Sequence, residues 1–158
     1  MGMRRARDFD LLRVKSCRQP FRLTADLVLE RAFNLREELP ISYDIDPKQR
    51  LVVSRLSGVV TNDEVQTHNR SLRTDPKFDP SYRQLIDLSG ITEIQITTDT
   101  VTTAAQNQYF TPGTRRAFVA TTDATFGMAR MFALRAEAGG QTIEVFRDRA
   151  KAEKWLGI

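Results

Sequence analysis

Few residues have the type and spacing that chemistry requires, and the first of them lie in residues 83–99, RQLIDLSGITEIQITTD. An apolar run there leads to Asp87 and Ser89, and a second apolar alternation ends at Thr97. A carboxylate and hydroxyls at the exit of a buried strand are compatible with a phosphorylation switch, a ligand or partner contact, or turn chemistry. We favour turn chemistry, in which Asp87 accepts N–H bonds from the LSG turn and Gly90 relaxes the backbone beside Ser89.

His68 is the only histidine in the chain, and Cys17 is the only cysteine. General-base catalysis, metal binding and catalytic triads use histidine beside a carboxylate or a nucleophile. His68 instead follows Val65 at helical spacing, so we expect a half-buried side chain bonded to a neighbour. Two soft ligands do not make a zinc site, and the chain has no glycine-rich phosphate loop, GxSxG or paired His–carboxylate motif. The sequence therefore predicts no catalytic residues, no metal site and no cofactor.

The segment FGMARMF is a candidate pocket wall. Methionine and aromatic side chains can line an adaptable cavity for an acyl chain or small apolar ligand, and Gly127 would let another backbone approach closely. The same residue types at helical spacing are more often ordinary core, which is the interpretation we favour. The pocket candidates are Phe126, Met128, Met131 and Phe132.

Arg115 and Arg116 are a basic pair between a Pro-Gly turn and the apolar AFVA. Guanidinium groups can receive an anionic ligand head or the acidic patch of a partner. Such a pair is more often a solvated strand entrance. We favour the solvated entrance and keep both arginines, with Asp87, as candidate contacts.

The charge and length of the chain favour one domain without a nucleic-acid or membrane-spanning role. A length of 158 residues suits one domain, and no apolar segment approaches the roughly 18–20 residues that span a bilayer. Residues 1–38 hold nine Lys/Arg against six Asp/Glu, whereas residues 39–158 hold fifteen against fourteen. A nucleic-acid surface needs clustered charge on the folded part. The single cysteine cannot form an internal disulfide, and the basic N-terminus lacks the apolar core of a signal peptide. Both observations predict a location in the reducing cytoplasm.

The elements that must position these residues follow from hydrophobic periodicity. ISYDID and RLVVSRLSG alternate with period two around the turn DPKQ, which predicts a hairpin. Thr61 and Glu64 form a capping box that begins a helix, and Pro76 ends it. YRQLIDLSG is then a nearly continuous apolar strand, which is typical of a strand covered on both faces.

Helices and strands continue to alternate to the end of the chain. A helix is predicted over Thr98–Tyr109, a strand over RRAFVAT, and a helix over TDATFGMARMFALRAEAG with Leu134 on its apolar face. The strand TIEVF and a helix capped by Asp148 complete the order. Strands separated by helices imply parallel crossovers. We therefore predict an α/β single domain with a mixed four- to five-stranded sheet, flanking helices and an N-terminal hairpin, preceded by one helix at Thr24–Glu37.

Four stretches of the chain resemble those of small bacterial SpoIIAA-like proteins: PISYDIDPKQRLVVSRLSGVVTNDEV, FDPSYRQLIDLSGITEI, PGTRRAFVA and FGMARMF. These proteins belong to the STAS/SEC14-like domains, related in fold to anti-sigma-factor antagonists and lipid-carrying CRAL-TRIO domains. The resemblance spans about residues 40–157 and implies a domain at 39–158. Because family members commonly begin at the position of Leu39, residues 1–38 would be a basic extension, poorly ordered or loosely docked. It would come from a miscalled start or be a genuine arm.

The resemblance also implies where a switch would lie. Antagonist-type STAS domains carry a strand of the form LDLSGVTFIDSSG that delivers a phosphoacceptor hydroxyl to a helix N-terminus. Aligned on IDLSGIT, the acceptor position is Thr97. Gln95, Ile96 and Thr98 replace the surrounding Asp, Ser and Gly. We therefore favour helix capping by Thr97 or Thr98, and Ser89 is the other hydroxyl to test.

The function that the resemblance implies is a non-enzymatic STAS-like module, which acts through contacts with an unknown protein partner in bacterial regulation. The alternative is a carrier or sensor of a small apolar or lipid-like molecule held near FGMARMF. An enzyme is the third interpretation and is not favoured, because no catalytic motif of the sequence supports it.

Overall fold

The computed structural model describes residues 39–107 and 109–158, which contain five strands and four helices in the order ββαβαβαβα. The periodicity predicts this order. The predicted helix at Thr24–Glu37 and the loosely ordered extension at residues 1–38 lie outside the described residues. The elements are β1 (Ile41–Asp46), β2 (Leu51–Thr61), α1 (Asn62–Thr74), β3 (Arg83–Gln95), α2 (Thr98–Gln106), β4 (Arg115–Val119), α3 (Asp123–Glu137), β5 (Thr142–Phe146) and α4 (Arg149–Leu156).

The strands of the described residues form one sheet in the order β1-β2-β3-β4-β5. β1 and β2 pair antiparallel as the predicted hairpin, and all other neighbours pair parallel. β3 is therefore central, as its nearly continuous apolar sequence indicates. This mixed five-stranded sheet with its helices confirms the predicted fold class.

Each face of the sheet has its own helices. The crossovers through α1, α2 and α3 all step in the same direction along the sheet, and right-handed crossovers of one direction place their helices on one face. These helices bury Leu72, Ala105 and Ala129 there, and we call this the three-helix face. α4 follows the last strand and packs Ala152 and Leu156 on the opposite side, the α4 face.

The first and last helices begin where the capping residues predict. Glu64 Oε2 accepts a hydrogen bond from the backbone N–H of Thr61 at 2.7 Å, which confirms the capping box of α1. Asp148 Oδ1 accepts a hydrogen bond from the backbone N–H of Ala150 at 2.7 Å, which confirms the cap of α4.

α2 is shorter than predicted and ends at Gln106 instead of Tyr109. The Tyr109 ring packs with its centroid 6.1 Å from that of Phe78, and the Tyr109 hydroxyl donates to Asn69 Oδ1 at 2.8 Å. These contacts draw the chain out of the helical path, so tertiary packing overrides local propensity.

The inward face of α3 also differs from the prediction. Leu134 is 61% exposed, whereas the small residues Ala129, Ala133 and Ala136 are buried. A residue one position after Ala133 points about 100° away around the helix. Leu134 therefore faces solvent, and alanines form the surface that meets the sheet.

β3 is longer than predicted and reaches Gln95, so Ser89 and Gly90 lie within a strand instead of a turn. Two register shifts, one after Asp87 and one after Ile91, each place one additional β3 residue opposite β2. Such bulges bend a strand and increase its twist. The expected loop is thus a bulged continuation of the strand.

Glycine is required at both strands of this bulged region. A Cβ on Gly90 would lie 3.0 Å from the carbonyl oxygen of Leu56 and 3.0 Å from the Cβ of Ser57. On the facing strand, Gly58 has a φ of +66°, which L side chains rarely adopt. A side chain at Gly90 would displace the paired backbone, and one at Gly58 would impose backbone strain.

β4 accompanies only the first part of β3. It pairs with Gln84–Asp87 and with no later residue of the strand. From there β2 and β3 continue alone as a two-stranded ribbon, formed by residues 57–61 and 90–95.

Candidate functional site

Three buried polar side chains cross the three-helix face of the sheet. Ser54 in β2, Gln84 in β3 and Arg116 in β4 are 0%, 2% and 7% exposed. Residues two apart in a strand share a face. Gln84 therefore lies on the side of Ile86, and Arg116 lies on the side of Phe118, within the apolar core of this face. We call Ser54, Gln84 and Arg116 the polar row.

Hydrogen bonds join the polar row to His68 in α1. Arg116 Nε donates to Gln84 Oε1 at 2.9 Å, and Gln84 Nε2 donates to Ser54 Oγ at 3.1 Å. Ser54 Oγ lies 3.3 Å from His68 Nε2. Because a guanidinium only donates, the carbonyl of Gln84 must face it and the amide nitrogen must face Ser54. Ser54 Oγ and His68 Nε2 then share the next hydrogen bond, whose direction depends on the imidazole tautomer.

His68 is neutral at pH 7. Burial, and secondarily the positive charge of Arg116, lower the pKa of His68 to about 4. Its ring packs edge-on against Tyr43 with the centroids 5.5 Å apart. The bond to Ser54 confirms the predicted histidine held by a neighbour. Its Nδ1 is buried without a hydrogen-bond partner in the part of the chain that the structure describes.

Arg116 is a buried cation, so the prediction of a solvated strand entrance is wrong for this residue. Its guanidinium lies 4.5 Å from the ring centroid of Phe110 and 5.5 Å from that of Phe132. No Asp or Glu of residues 39–107 and 109–158 forms an ion pair with it. Burial lowers the pKa of the Arg116 guanidinium, which nevertheless remains protonated at neutral pH.

Arg115 points to the opposite side, because neighbouring residues of a strand alternate. It is exposed, as predicted. Its Nη1 donates to the backbone carbonyl of Trp155 at 3.1 Å, and its guanidinium lies 5.6 Å from the indole centroid. The two arginines therefore have separate environments and do not form one anion site.

A cavity of about 100 Å³ lies between the polar row and the helices of the three-helix face. Most of its walls are apolar side chains from β2, β3, β4, α2 and α3. Of the predicted pocket residues, Met128 and Phe132 line it, whereas Phe126 and Met131 do not. A Cβ on Gly127 would have no atom within 4 Å, so the predicted close backbone approach is wrong.

Phe126 instead lies beneath an exposed arginine. The Arg147 guanidinium is 4.4 Å from its ring centroid, and Arg147 Nη2 pairs with Asp123 Oδ1 at 2.6 Å. The Phe126 ring also packs against the edge of the core. These contacts hold the first turn of α3 rather than a ligand.

The polar end of the cavity contains more than the arginine. Arg116, His68, Asn69 and Tyr109 all line it. The Tyr109 hydroxyl donates to Asn69 Oδ1 at 2.8 Å. Burial raises the pKa of Tyr109, an effect that the nearby charge of Arg116 offsets only in part. The phenol is therefore neutral at pH 7 and does not neutralise the guanidinium.

Asp87 lies on the α4 face, away from the cavity. Its Oδ1 accepts hydrogen bonds from the backbone N–H of Ser89 at 3.0 Å and from the Ser89 hydroxyl at 2.5 Å. Its Oδ2 pairs with Arg149 Nη1 at 3.0 Å. The carboxylate thus binds the following N–H as predicted, although within a bulged strand, and also ties α4 to β3.

Thr97 is exposed at the N-terminus of α2. Its Oγ1 accepts a hydrogen bond from the backbone N–H of Thr100 at 3.3 Å, which confirms the capping role. Its own N–H donates to Asn62 Oδ1 at 2.9 Å. Thr97 does not line the cavity, so the two candidate hydroxyls, Thr97 and Ser89, are not brought together with the pocket residues.

The sequence does not lead to Gln84 or Ser54, and it predicts a solvated position for Arg116, which is buried. A detectable signal existed, because Gln84 stands two residues before the buried Ile86 in RQLID. Arg116 stands two residues before Phe118 in RRAF. A polar residue two positions from a buried apolar residue of the same strand lies on the same face, which indicates a buried polar group.

Two kinds of feature are absent from the described residues. No cluster of three or more His, Cys, Asp or Glu side chains there could hold a metal ion. None of the helices in residues 39–107 and 109–158 has the length and hydropathy to cross a lipid bilayer.

Comparison with known proteins assigns the architecture. No protein-family model matches the chain, and no curated protein is significantly similar to it. The chain is similar to the crystal structure of an uncharacterized protein of the DUF3478 family, with a SpoIIAA-like fold, from Shewanella loihica PV-4. The TM-score is 0.51, with 15% identity over 73% of this chain and 93% of that chain. The fold is SpoIIAA-like. The SpoIIAA-like architecture that the resemblance implies is therefore confirmed, and the likeness at this identity concerns the fold alone.

Proposed function

We propose that this SpoIIAA-like domain is a non-enzymatic binding module that holds a small apolar molecule beneath the three helices, as its carrier or sensor. The observation that supports this function is the cavity of about 100 Å³, with mostly apolar walls and one polar end. Ligand sites are typically concave and apolar with a few convergent polar groups. Met128 and Phe132 supply an adaptable and an aromatic wall.

The size of the cavity limits the ligand. An engineered apolar cavity of about 150 Å³ accepts benzene, so a cavity of about 100 Å³ suits a comparably small molecule. An extended acyl chain requires more room. We therefore narrow the carrier hypothesis from lipid-like molecules to small ones.

A non-enzymatic role agrees with the environment of the Ser54–His68 pair. Serine beside histidine is the arrangement of an activated nucleophile. Ser54 is 0% exposed, so a substrate cannot reach its hydroxyl without a large rearrangement. A pKa of about 4 makes His68 a weak base at pH 7, and no described carboxylate bonds its Nδ1. These features support a structural hydrogen bond.

The proposal is tested by filling the cavity. Ala104 lines it from α2, and an Ala104→Leu substitution would occupy the space. Benzene should raise the melting temperature of the wild-type protein by a few degrees at saturating concentrations, because ligands stabilise the state that binds them. The substitution should abolish that shift. Ala150→Leu, at an exposed position of α4, is the matched control and should leave the shift unchanged.

Native mass spectrometry of protein purified from cells is the complementary measurement. A small molecule retained by the wild-type protein and lost in Ala104→Leu supports the carrier or sensor function. Absence of any shift with benzene and other small apolar compounds, together with an empty protein in native spectra, would contradict it.

A second candidate is a protein-interaction switch, favoured by the exposure of Thr97 at the start of α2. A phosphate there would meet the unpaired N–H groups of the first turn, although Asp99 in the same turn opposes the added charge. Thr97→Asp and Thr97→Ala should change the capture of a protein partner in opposite directions, with Ser89→Ala as the comparison at the other hydroxyl. Protein that stays unmodified under all growth conditions would contradict the switch.

A further inference from the structure

We infer, on the basis of the ligand-binding function proposed above, that the cavity selects small apolar molecules that carry one carboxylate. The Arg116 guanidinium would bind the carboxylate, and the apolar walls would enclose the rest of the molecule. The inference specifies the chemical class of the ligand and the residue that recognises it.

The first observation is a buried positive charge without a counter-ion. Arg116 is 7% exposed and forms no ion pair with any carboxylate of residues 39–107 and 109–158. An unpaired buried charge is costly, because the protein interior solvates it poorly. The ring faces of Phe110 and Phe132 offset part of this cost and hold the guanidinium in place. The neutral Tyr109 phenol contributes no negative charge. A ligand anion would supply the missing counter-charge.

The second observation is an excess of hydrogen-bond donors at the polar end. A guanidinium has five N–H donors and no acceptor, and in Arg116 only Nε has an acceptor among the described residues. Asn69 uses its Oδ1 to accept from Tyr109, which leaves its amide N–H groups without an acceptor in the described part of the chain. His68 Nδ1 is also buried without a partner there. All three residues line the cavity, and the free N–H groups of Arg116 and Asn69 make its polar end rich in hydrogen-bond donors.

A carboxylate satisfies these requirements better than other small groups. Its two oxygens accept from one guanidinium in the bidentate geometry that arginine favours. A neutral amide brings donors of its own to a surface that already has too many. Phosphate or sulfate would direct further charged oxygens at the apolar walls of Ile86, Met128 and Phe132. A short monocarboxylate such as butyrate combines the anionic head with an apolar remainder of suitable size.

The test compares two molecules of nearly equal shape, butyrate and butyramide, with benzene as the purely apolar probe. Isothermal titration calorimetry on the full chain should give tighter binding of butyrate than of butyramide, by on the order of tenfold to hundredfold. Arg116→Met should abolish this preference and retain benzene binding. Arg115→Met removes the exposed neighbour and should leave the preference unchanged.

A second variant protects the test against misfolding of Arg116→Met. Gln84→Glu has nearly the same shape and places a carboxylate 2.9 Å from Arg116 Nε, where the amide oxygen now lies. The guanidinium would then have a counter-ion of its own. We expect butyrate to lose its preference in this variant, while benzene still binds.

The outcomes separate this inference from the function on which it rests. Equal affinity of wild-type protein for butyrate and butyramide, with benzene still bound, overturns the carboxylate specificity and leaves the apolar binding function intact. A preference for butyrate that survives in both Arg116→Met and Gln84→Glu overturns the role of Arg116. Failure of butyrate, butyramide and benzene alike to bind overturns both proposals.

Discussion

The two faces of the sheet are built from the same strands, and they differ in what they enclose. The α4 face closes on itself: Leu85, Val119 and Leu156 are each 1–2% exposed in one apolar cluster. The three-helix face has a larger apolar core, and it also encloses the polar row and a cavity of about 100 Å³. The buried cation Arg116 belongs to this face alone.

The difference follows from topology and strand phase. A single helix can lie flat along the middle of the sheet, whereas three helices must diverge around side chains of different size and leave space where they separate. The side chains of the polar row lie at strand positions that point toward those helices. The α4 face therefore mainly stabilises the fold, whereas the three-helix face contains a polar pocket that lowers its contribution to stability.

The sharpest test of this comparison is a pair of large-to-small substitutions on opposite faces. Leu85→Ala should lower the free energy of unfolding by about 3–4 kcal/mol, because its closely packed surroundings leave the full volume empty. Leu88, equally buried at 2%, lines the cavity. Leu88→Ala should cost about 2 kcal/mol, since that side chain already lacks neighbours on one side. Chemical denaturation measures both, and equal costs would contradict the distinction between the faces.

The second largest effect is a pH dependence that originates on the three-helix face. The pKa of His68 is about 4 in the folded protein and about 6.5 in an unfolded chain. Between these values the unfolded state binds the proton and the folded state does not, so stability falls as the pH falls through this window. The total loss is about 3 kcal/mol, and the nearby charge of Arg116 does not change over this range.

His68→Gln is the matched variant, because its amide can hydrogen-bond Ser54 in either direction and it does not titrate. The difference in unfolding free energy between wild type and variant should depend on pH between about 6.5 and 4, and should be constant above about 7.5. All other ionisable groups are shared, so a difference that does not vary with pH would contradict the neutral buried histidine.

A smaller effect is expected within the polar row. Gln84→Met leaves Arg116 Nε without its acceptor and should cost about 2 kcal/mol. Adding Arg116→Met removes the unsatisfied donor, so the double variant should be about 1 kcal/mol more stable than Gln84→Met alone. Leu85→Met, the adjacent position on the α4 face, should cost less than about 1.5 kcal/mol. Additive effects in the double variant would contradict the hydrogen-bonded chain.

The smallest effect concerns the ion pair on the α4 face. The side chains of Asp87 and Arg149 are 13% and 45% exposed, so water screens their interaction. Arg149→Ala should lower stability by at most about 1 kcal/mol, and the loss should shrink as salt is added. Arg55→Ala, which removes a more exposed ion pair with Asp44 in the β1–β2 hairpin, is the comparison and should cost still less. A larger loss at Arg149 would give the α4 face an electrostatic role that its packing does not suggest.

Much of the fold was predictable from the sequence, because local signals agree with the final structure. The alternation in ISYDID, the capping pair Thr61 and Glu64, and the cap Asp148 each mark an element boundary that the structure confirms. The end of α2 and the length of β3 were not predictable. The first depends on contacts of Tyr109 with distant residues, and the second depends on bulges that no local pattern marks.

The candidate site was less predictable, because it depends on which face of each strand is turned toward the three helices. Met128 and Phe132 were identified as pocket residues, yet Phe126 and Met131 on the same helix lie outside the cavity. The period-two pattern of a strand shows that successive side chains alternate between the two faces of the sheet. It does not show which of Arg115 and Arg116 lies on which face. The crossover topology of β2, β3 and β4 decides that division.

The two-stranded ribbon beyond β4 has a consequence for behaviour at high concentration. No described strand pairs with the outer margin of β3 after Asp87, and an open margin of this kind can recruit strands from other molecules into aggregates. The register shifts at this margin break the even spacing of its amide and carbonyl groups, and Glu93 adds an exposed charge. A straight incoming strand would find few amide and carbonyl groups aligned for pairing there, so the irregular backbone of this margin opposes edge-to-edge polymerisation.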